Sequence, residues 1–234
     1  MKVIILAGGY GTRLSEETSN KPKPMVLIDK YPIIWHIMNI FARQGFQEFV
    51  IASGYKGEII HDWVKKLNTD WKISVLDTGQ DTQTGGRIAQ CLNYVGNERI
   101  LATYGDCLGN IDIQKLLETH ERENKIATLT GVLPPARFGV LKFEENTVTH
   151  FGEKRIEDAS WINGGFFVLE PTVLDFIDGM NEPFETGALP RLVANRELSV
   201  HLHKDFWQPM DTLHEKNELA SLALNDVPPW LNGL

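Results

Sequence analysis

The stretch VIILAGGYGTRLSEETSNKPKPM, residues 3 to 25, sets four apolar residues directly against three glycines and then gathers Arg13, Lys21 and Lys23. Val3 to Leu6 reads as a first buried strand, and the glycines after it allow backbone N–H groups to approach phosphate oxygens that the cations neutralise. The ligand this combination suggests is a polyphosphate, although a glycine-rich turn after a first strand also occurs as a plain tight turn. The spacing GGYGTR lacks the third glycine of G-x-G-x-x-G, and no GK[ST] follows, so neither a dinucleotide fold nor a P-loop is supported. Pro22 and Pro24 hold the two lysines on an extended, non-helical segment. Arg13 offers a planar fork for two oxygens and Lys23 a compact point charge.

Working outward, short apolar runs alternate with amphipathic stretches through the first half, the pattern of βαβ units around a mainly parallel sheet. Strands are predicted at Val3 to Leu6, Phe49 to Ala52, Ile73 to Leu76, Ile100 to Thr103 and Ala127 to Leu133. Helices are predicted at Pro32 to Arg43, Gly57 to Leu67, Gly85 to Val95 and Ile113 to Glu123, the first with Pro32 in its opening turn and a stop near Gly45. Beyond residue 134 the segments FGVLKF, TVTHFGE and WINGGFFVL read as strands, with helices near Thr172 to Ile177 and Ala188 to Ala194. The expectation is one α/β domain over residues 1–234, its sheet flanked by helices and extended by extra strands in the second half. In such sheets ligands lie outside the C-terminal strand ends, which turns attention to the residues just after each strand.

With 234 residues, 42% of them hydrophobic, the chain has enough material for a full core. Its 31 acidic against 23 basic residues, with no basic face or tail, argue against a nucleic-acid partner. The opening apolar run is too short for a signal peptide, and no segment approaches the roughly 20 apolar residues of a membrane helix. A cytoplasmic protein with reduced Cys91 and Cys107 and no membrane partner is expected. Cys107 reads as a small residue at a strand end.

Two aspartates each have a bland explanation: Asp106 closes the run ILATYGD and suits a turn, and Asp211 precedes a helical stretch and suits an N-cap. Neither position by itself points to a metal site. DTGQDTQTGGR, residues 77 to 87, reads as a polar loop opening a helix, with glycines that again allow close backbone approach. Glu153 with Lys154 resembles a solvated surface pair, and Asn163 with Gly164 a turn.

LAGGYGTRL followed by KPKPM resembles the signature of the sugar 1-phosphate nucleotidyltransferases, and SEET, KPKPM and WHIM look like the glucose-1-phosphate cytidylyltransferase branch. GYKG, DTGQDTQTGGR, TYGD, PPARFG, INGGFFVL and FWQPMDT carry the resemblance over nearly the whole chain. It implies the Rossmann-like nucleotide-diphospho-sugar transferase fold and synthesis of CDP-glucose and pyrophosphate from CTP and α-D-glucose 1-phosphate. By resemblance Arg13 and Lys23 are catalytic, and Asp106 and Asp211 hold Mg²⁺. Leu6, Ala7, Gly8, Gly9, Gly11, Thr12, Thr82, Arg87 and Gly105 line the nucleotide side, and Glu153, Lys154, Asn163 and Gly164 the sugar phosphate side. Arg137 is a further candidate anion contact.

Three departures from the family pattern stand out. Arg155 replaces the proline of an EKP element, a longer insert between Leu67 and LDTG is missing, and Gly187 and Ala188 stand where an acidic residue is expected. They leave open another nucleotide or phosphorylated acceptor, a non-catalytic sugar-nucleotide sensor on the same fold, and whether the chain forms a homo-oligomer.

Overall fold

The computed structural model describes residues 1–96, 98–134, 139–153 and 160–234. Strand β1 (Val3–Leu6) leads through a short helical turn α1 (Ser15–Thr18) and a small hairpin, β2 (Leu27–Ile28) and β3 (Tyr31–Pro32), into helix α2 (Ile33–Ala42). Strand β4 (Glu48–Ser53), helix α3 (Gly57–Lys66), β5 (Lys72–Asp77), α4 (Thr84–Val95), β6 (Ile100–Tyr104), β7 (Cys107–Gly109), α5 (Ile113–Glu123) and β8 (Ala127–Val132) follow. The second half adds β9 (Gly139–Glu144), β10 (Thr147–Glu153), β11 (Ile162–Asn163), β12 (Phe167–Leu169), α6 (Ala188–Ala194), β13 (Leu198–His203), β14 (Trp207–Pro209) and α7 (Leu213–Leu222).

β1 lies at the heart of the main sheet, parallel to β4 on one side and to β6 on the other, with β5 parallel to β4 at the edge. Both faces of β1 are covered. Val3 and Ile5 pack into one apolar cluster with α2, Ile60 of α3 and Leu219 of α7, while Ile4 and Leu6 pack into a second with α4 and α6. This two-sided burial explains why β1 is a continuous apolar run rather than an alternating one. On α4 the buried residues Ile88, Cys91, Leu92 and Val95 recur at helical spacing and face the sheet.

The chain builds β4 and β5 on one side of β1, then crosses through α4 to place β6 on the other. The loops after β1 and β6 therefore diverge from neighbouring strand ends and open the crevice where ligands of open α/β sheets bind. Beyond β6 the sheet departs from parallel order: β12 is antiparallel to both β6 and β8, and β13 runs parallel to β8.

Four predicted elements are observed in altered form, and strand β13, the β2–β3 hairpin and the β7–β14 pair lie outside the predicted elements. Pro32 lies just before α2 with an extended ψ of 153°, because it pairs with Leu27 in the hairpin. WINGGFFVL is two strands: β11 and β12 both pair with β8, but the pairing steps by two residues across Gly164 and Gly165. The helix near Thr172 is a 3₁₀ turn, Pro171–Phe176. Lys23, expected on an extended segment, begins a 3₁₀ turn, Lys23–Met25.

Among the described residues no helix is long and apolar enough to cross a membrane. Both cysteines are free and buried, and burial pushes the Cys91 thiol up to about 12 and raises that of Cys107 as well. Because the thiolate is the reactive form, neither cysteine of the native protein is expected to react with Ellman's reagent at mildly alkaline pH, and both should react in guanidinium. Rapid reaction of the native protein would show that these strand and helix faces open readily.

Candidate active site

A cavity of about 500 Å³ lies at the C-terminal ends of β1 and β6, within the range of small-ligand sites. One wall is the loop after β1, from Leu6 to Arg13; another is the segment Gln80 to Thr84 with Arg87; Tyr104, Gly105 and Asp106 close a third side. All nine residues assigned by resemblance to the nucleotide side thus line one cavity, together with Arg13, Lys23 and Asp106.

Lys23 is the organising charge. It is 7% exposed, and its Nζ donates to Asp106 Oδ2 at 2.6 Å and to Asp211 Oδ1 at 2.7 Å. Asp211 Oδ2 also accepts from Arg13 Nη1 at 2.6 Å, although the Arg13 side chain is mostly exposed. Burial alone would lower the Lys23 pKa, but Asp106 and Asp211 outweigh it and the net shift is upward. Lys23 is therefore a firmly held cation, and two carboxylates separated by over a hundred residues meet on it.

The turn reading of Asp106 holds, whereas the N-cap reading of Asp211 gives way. Thr212, not Asp211, is the N-cap of α7: its hydroxyl accepts from the Glu215 N–H, and Glu215 accepts in return from the Thr212 N–H, a complete capping box. Glu215 also accepts from the Asp211 N–H at 2.7 Å, which fixes the backbone and leaves the Asp211 carboxylate turned to the two cations. Asp106 lies in the turn between β6 and β7 and spends Oδ2 on Lys23. Lys21, gathered with the other cations in sequence, pairs with Glu17 at 3.4 Å and does not line the cavity.

Arg87 forms the floor rather than projecting into the cavity. Its Nη1 donates to Ser53 O at 2.9 Å, Thr78 Oγ1 at 2.5 Å and Gly79 O at 2.9 Å, and its Nη2 to Gly8 O at 3.0 Å and Gln80 O at 3.3 Å. Burial lowers its pKa, with Asp77 opposing. Gly8 is required for this arrangement, since a Cβ there would stand 2.1 Å from Arg87 Nη1. Gly86, by contrast, serves chain packing: a Cβ would meet Met180 O at 2.4 Å, so the close approach read from its sequence is to protein backbone.

Asn163 and Gly164 are brought near, one layer behind the wall. Asn163 Nδ2 donates to the Tyr104 hydroxyl at 3.0 Å, its Oδ1 accepts from Gly165 N, and Gly164 O accepts from Trp207 Nε1 at 2.9 Å. The Tyr104 hydroxyl donates to Glu185 at 2.7 Å, and burial, reinforced by Glu185, raises its pKa. Glu185 also accepts from Thr84 Oγ1 at 2.7 Å. Glu153 ends β10, in a hairpin with β9 apart from the main sheet. Lys154, Arg155 and Arg137 lie outside the described residues.

Sequence reasoning passed over Tyr10, Asp81, Tyr104 and Glu185. Tyr10 sits inside the glycine triplet, and its position among the glycines was the available signal. Glu185 belongs to FETGALPRL, two residues before Gly187, which stands where the family pattern has an acid. What makes Glu185 part of the site is a contact with Tyr104, 81 residues away, that no local pattern announces.

A nucleotidyl transferase family model matches residues 2–216. The chain is 41% identical over 253 aligned positions to a glucose-1-phosphate cytidylyltransferase of Salmonella typhi, covering 98% of each protein. It is 42% identical to a probable glucose-1-phosphate cytidylyltransferase of Bacillus subtilis, covering 98% of this chain and 99% of that one. Among solved structures, HddC from Yersinia pseudotuberculosis complexed with GMP-PN superposes with a TM-score of 0.74 at 24% identity, covering 94% and 98% of the two chains, a likeness of fold. The fold and the matches define a nucleotidyltransferase, and the chain belongs to the nucleotidyl transferase family. Within it, the chain is a sugar 1-phosphate nucleotidyltransferase similar to the glucose-1-phosphate cytidylyltransferases. The alignment is longer than the 234 residues of the chain, so the relative carries residues that this chain lacks.

Proposed function

We propose that the protein joins CTP and α-D-glucose 1-phosphate to give CDP-glucose and pyrophosphate. The observation that carries the chemistry is the meeting of Lys23, Asp106 and Asp211 beside a glycine-lined cavity large enough for a nucleotide. The choice of cytidine and glucose is supported by the near-full-length similarity to enzymes of that name.

A phosphate oxygen of the sugar phosphate attacks the α-phosphorus of CTP in line, the bond from that phosphorus to the bridging oxygen breaks, and pyrophosphate leaves with the electron pair. No covalent intermediate with the protein is needed. Catalysis of this kind rests on positioning and charge stabilisation. In this reading Lys23 binds the α-phosphate or the incoming sugar phosphate, and Arg13, exposed at the cavity edge, stabilises the departing pyrophosphate.

The charge balance also bears on the metal. Lys23 and Arg13 are already matched by Asp106 and Asp211, so the four groups bring no net positive charge to a polyanion. Nucleotidyltransferases generally use a divalent metal. Two convergent carboxylates with oxygen donors suit Mg²⁺, which takes one or two protein carboxylates and completes its shell with water and phosphate. Asp106 and Asp211 would hold it, and when bound it neutralises triphosphate charge.

The test is pyrophosphate release with Mg²⁺ and glucose 1-phosphate against CTP, UTP, GTP, ATP and dTTP, with the sugar nucleotide identified by mass and an EDTA control. Turnover with CTP, abolished by EDTA, is the expected result. Preference for another nucleotide would retain the reaction and overturn cytidine; nucleotide binding without turnover would favour the sensor.

A further inference from the structure

We propose that Tyr10 and Asp81 form a latch across the mouth of the nucleotide cavity, making Tyr10 a positioning residue that slows nucleotide release. The inference rests on the reading of this cavity as a nucleotide site. Tyr10 belongs to the glycine loop and Asp81 to the opposite wall, yet the Tyr10 hydroxyl donates to Asp81 Oδ1 at 2.6 Å and accepts from Gln80 Nε2 at 3.1 Å. A carboxylate facing a cavity built for an anion is a liability, and the Tyr10 hydroxyl engages it. The same two walls are joined at the floor by Arg87, which reaches Gly8 O, Gly79 O and Gln80 O. Gln80 is thus tied at both levels: its carbonyl to the floor and its side chain to the mouth.

The floor is buried, whereas the mouth is exposed. Tyr10 is 42% exposed and stands between Gly9, where an added Cβ would meet nothing within 4 Å, and Gly11, whose φ is +66°. Its ring rests against Tyr55, with centroids 5.2 Å apart, and Lys56 Nζ lies 5.0 Å from the centroid of the Tyr55 ring. The ring therefore has a resting place that does not depend on the hydroxyl, and Tyr10→Phe removes the latch bond while keeping the packing. An exposed hydrogen bond to a carboxylate is modest in size, and its effect belongs in the rate of opening rather than in the chemistry.

The experiment measures release of the fluorescent analogue mant-CTP by stopped-flow displacement from the full chain and from Tyr10→Phe, Asp81→Ala, Asp81→Asn and the Tyr10→Phe/Asp81→Ala double variant. Loss of the one bond should speed release about fivefold in either single variant, and no further in the double variant. Asp81→Asn, which keeps an acceptor oxygen, should restore most of the slow release. Release at the wild-type rate from Tyr10→Phe, or effects of Tyr10→Phe and Asp81→Ala that multiply in the double variant, would overturn the latch. Failure of the wild-type chain to bind mant-CTP at all would instead overturn the nucleotide reading on which it rests.

Discussion

Asp106→Asn is expected to lower turnover by about a hundred- to a thousandfold while leaving the melting temperature close to that of the wild type, the loss associated with removing one charge-stabilising group, about 2.7 to 4 kcal/mol. The asymmetry of the site explains why activity and stability separate here. Asp106 is about one-third exposed in its side chain, and Lys23 keeps its second partner, Asp211, when Asp106 is neutralised. An asparagine oxygen also still accepts from Nζ. What is lost is the negative charge, which balances Lys23 and would hold a divalent ion. The measurement is kcat for CTP with glucose 1-phosphate alongside a thermal melt. Wild-type turnover in Asp106→Asn would sink the metal assignment; a melting temperature many degrees lower would make Asp106 a structural counter-charge first.

How far this site was legible in the sequence depended on whether each residue's role was local. The first strand and the turn after it were readable because one βα unit supplies both the apolar run and the glycines. The grouping of Arg13 and Lys23 was visible in the same way, though Lys21 left for Glu17 once the chain folded. Asp106 and Asp211 could be named from resemblance, but their meeting is tertiary. Only the folded chain shows that Thr212 takes over the capping duty and that both carboxylates arrive on Lys23. The break in WINGGFFVL was hidden for a related reason. Its register is set by pairing with β8, and the step at Gly164 and Gly165 aims Asn163 at Tyr104, a result of sheet geometry that strand propensity does not encode.

Arg87 is where the sequence reading and the structure lead to different experiments. A ligand-contacting arginine, replaced by lysine, weakens nucleotide binding and leaves the empty protein as stable as before. The floor geometry gives another expectation, because the guanidinium joins the glycine loop to the 78–80 segment through donors on both terminal nitrogens. A lysine has one compact ammonium and cannot span Gly8 O and Gly79 O as a planar fork does. Arg87→Lys should therefore leave buried carbonyls under-satisfied and destabilise the nucleotide-free protein by about 3 kcal/mol. For a chain of this size that corresponds to a fall in melting temperature of roughly 6 to 12 °C. The nucleotide KM should rise as well, because Gly8 and Gln80 lose their common anchor at the floor. Differential scanning calorimetry without ligand decides the matter: a melt coincident with wild type, combined with weakened CTP binding, would return Arg87 to direct contact with the nucleotide. A lowered melt that saturating CTP largely restores would establish that Arg87 shapes the cavity, and that the ligand supplies the missing link between its walls.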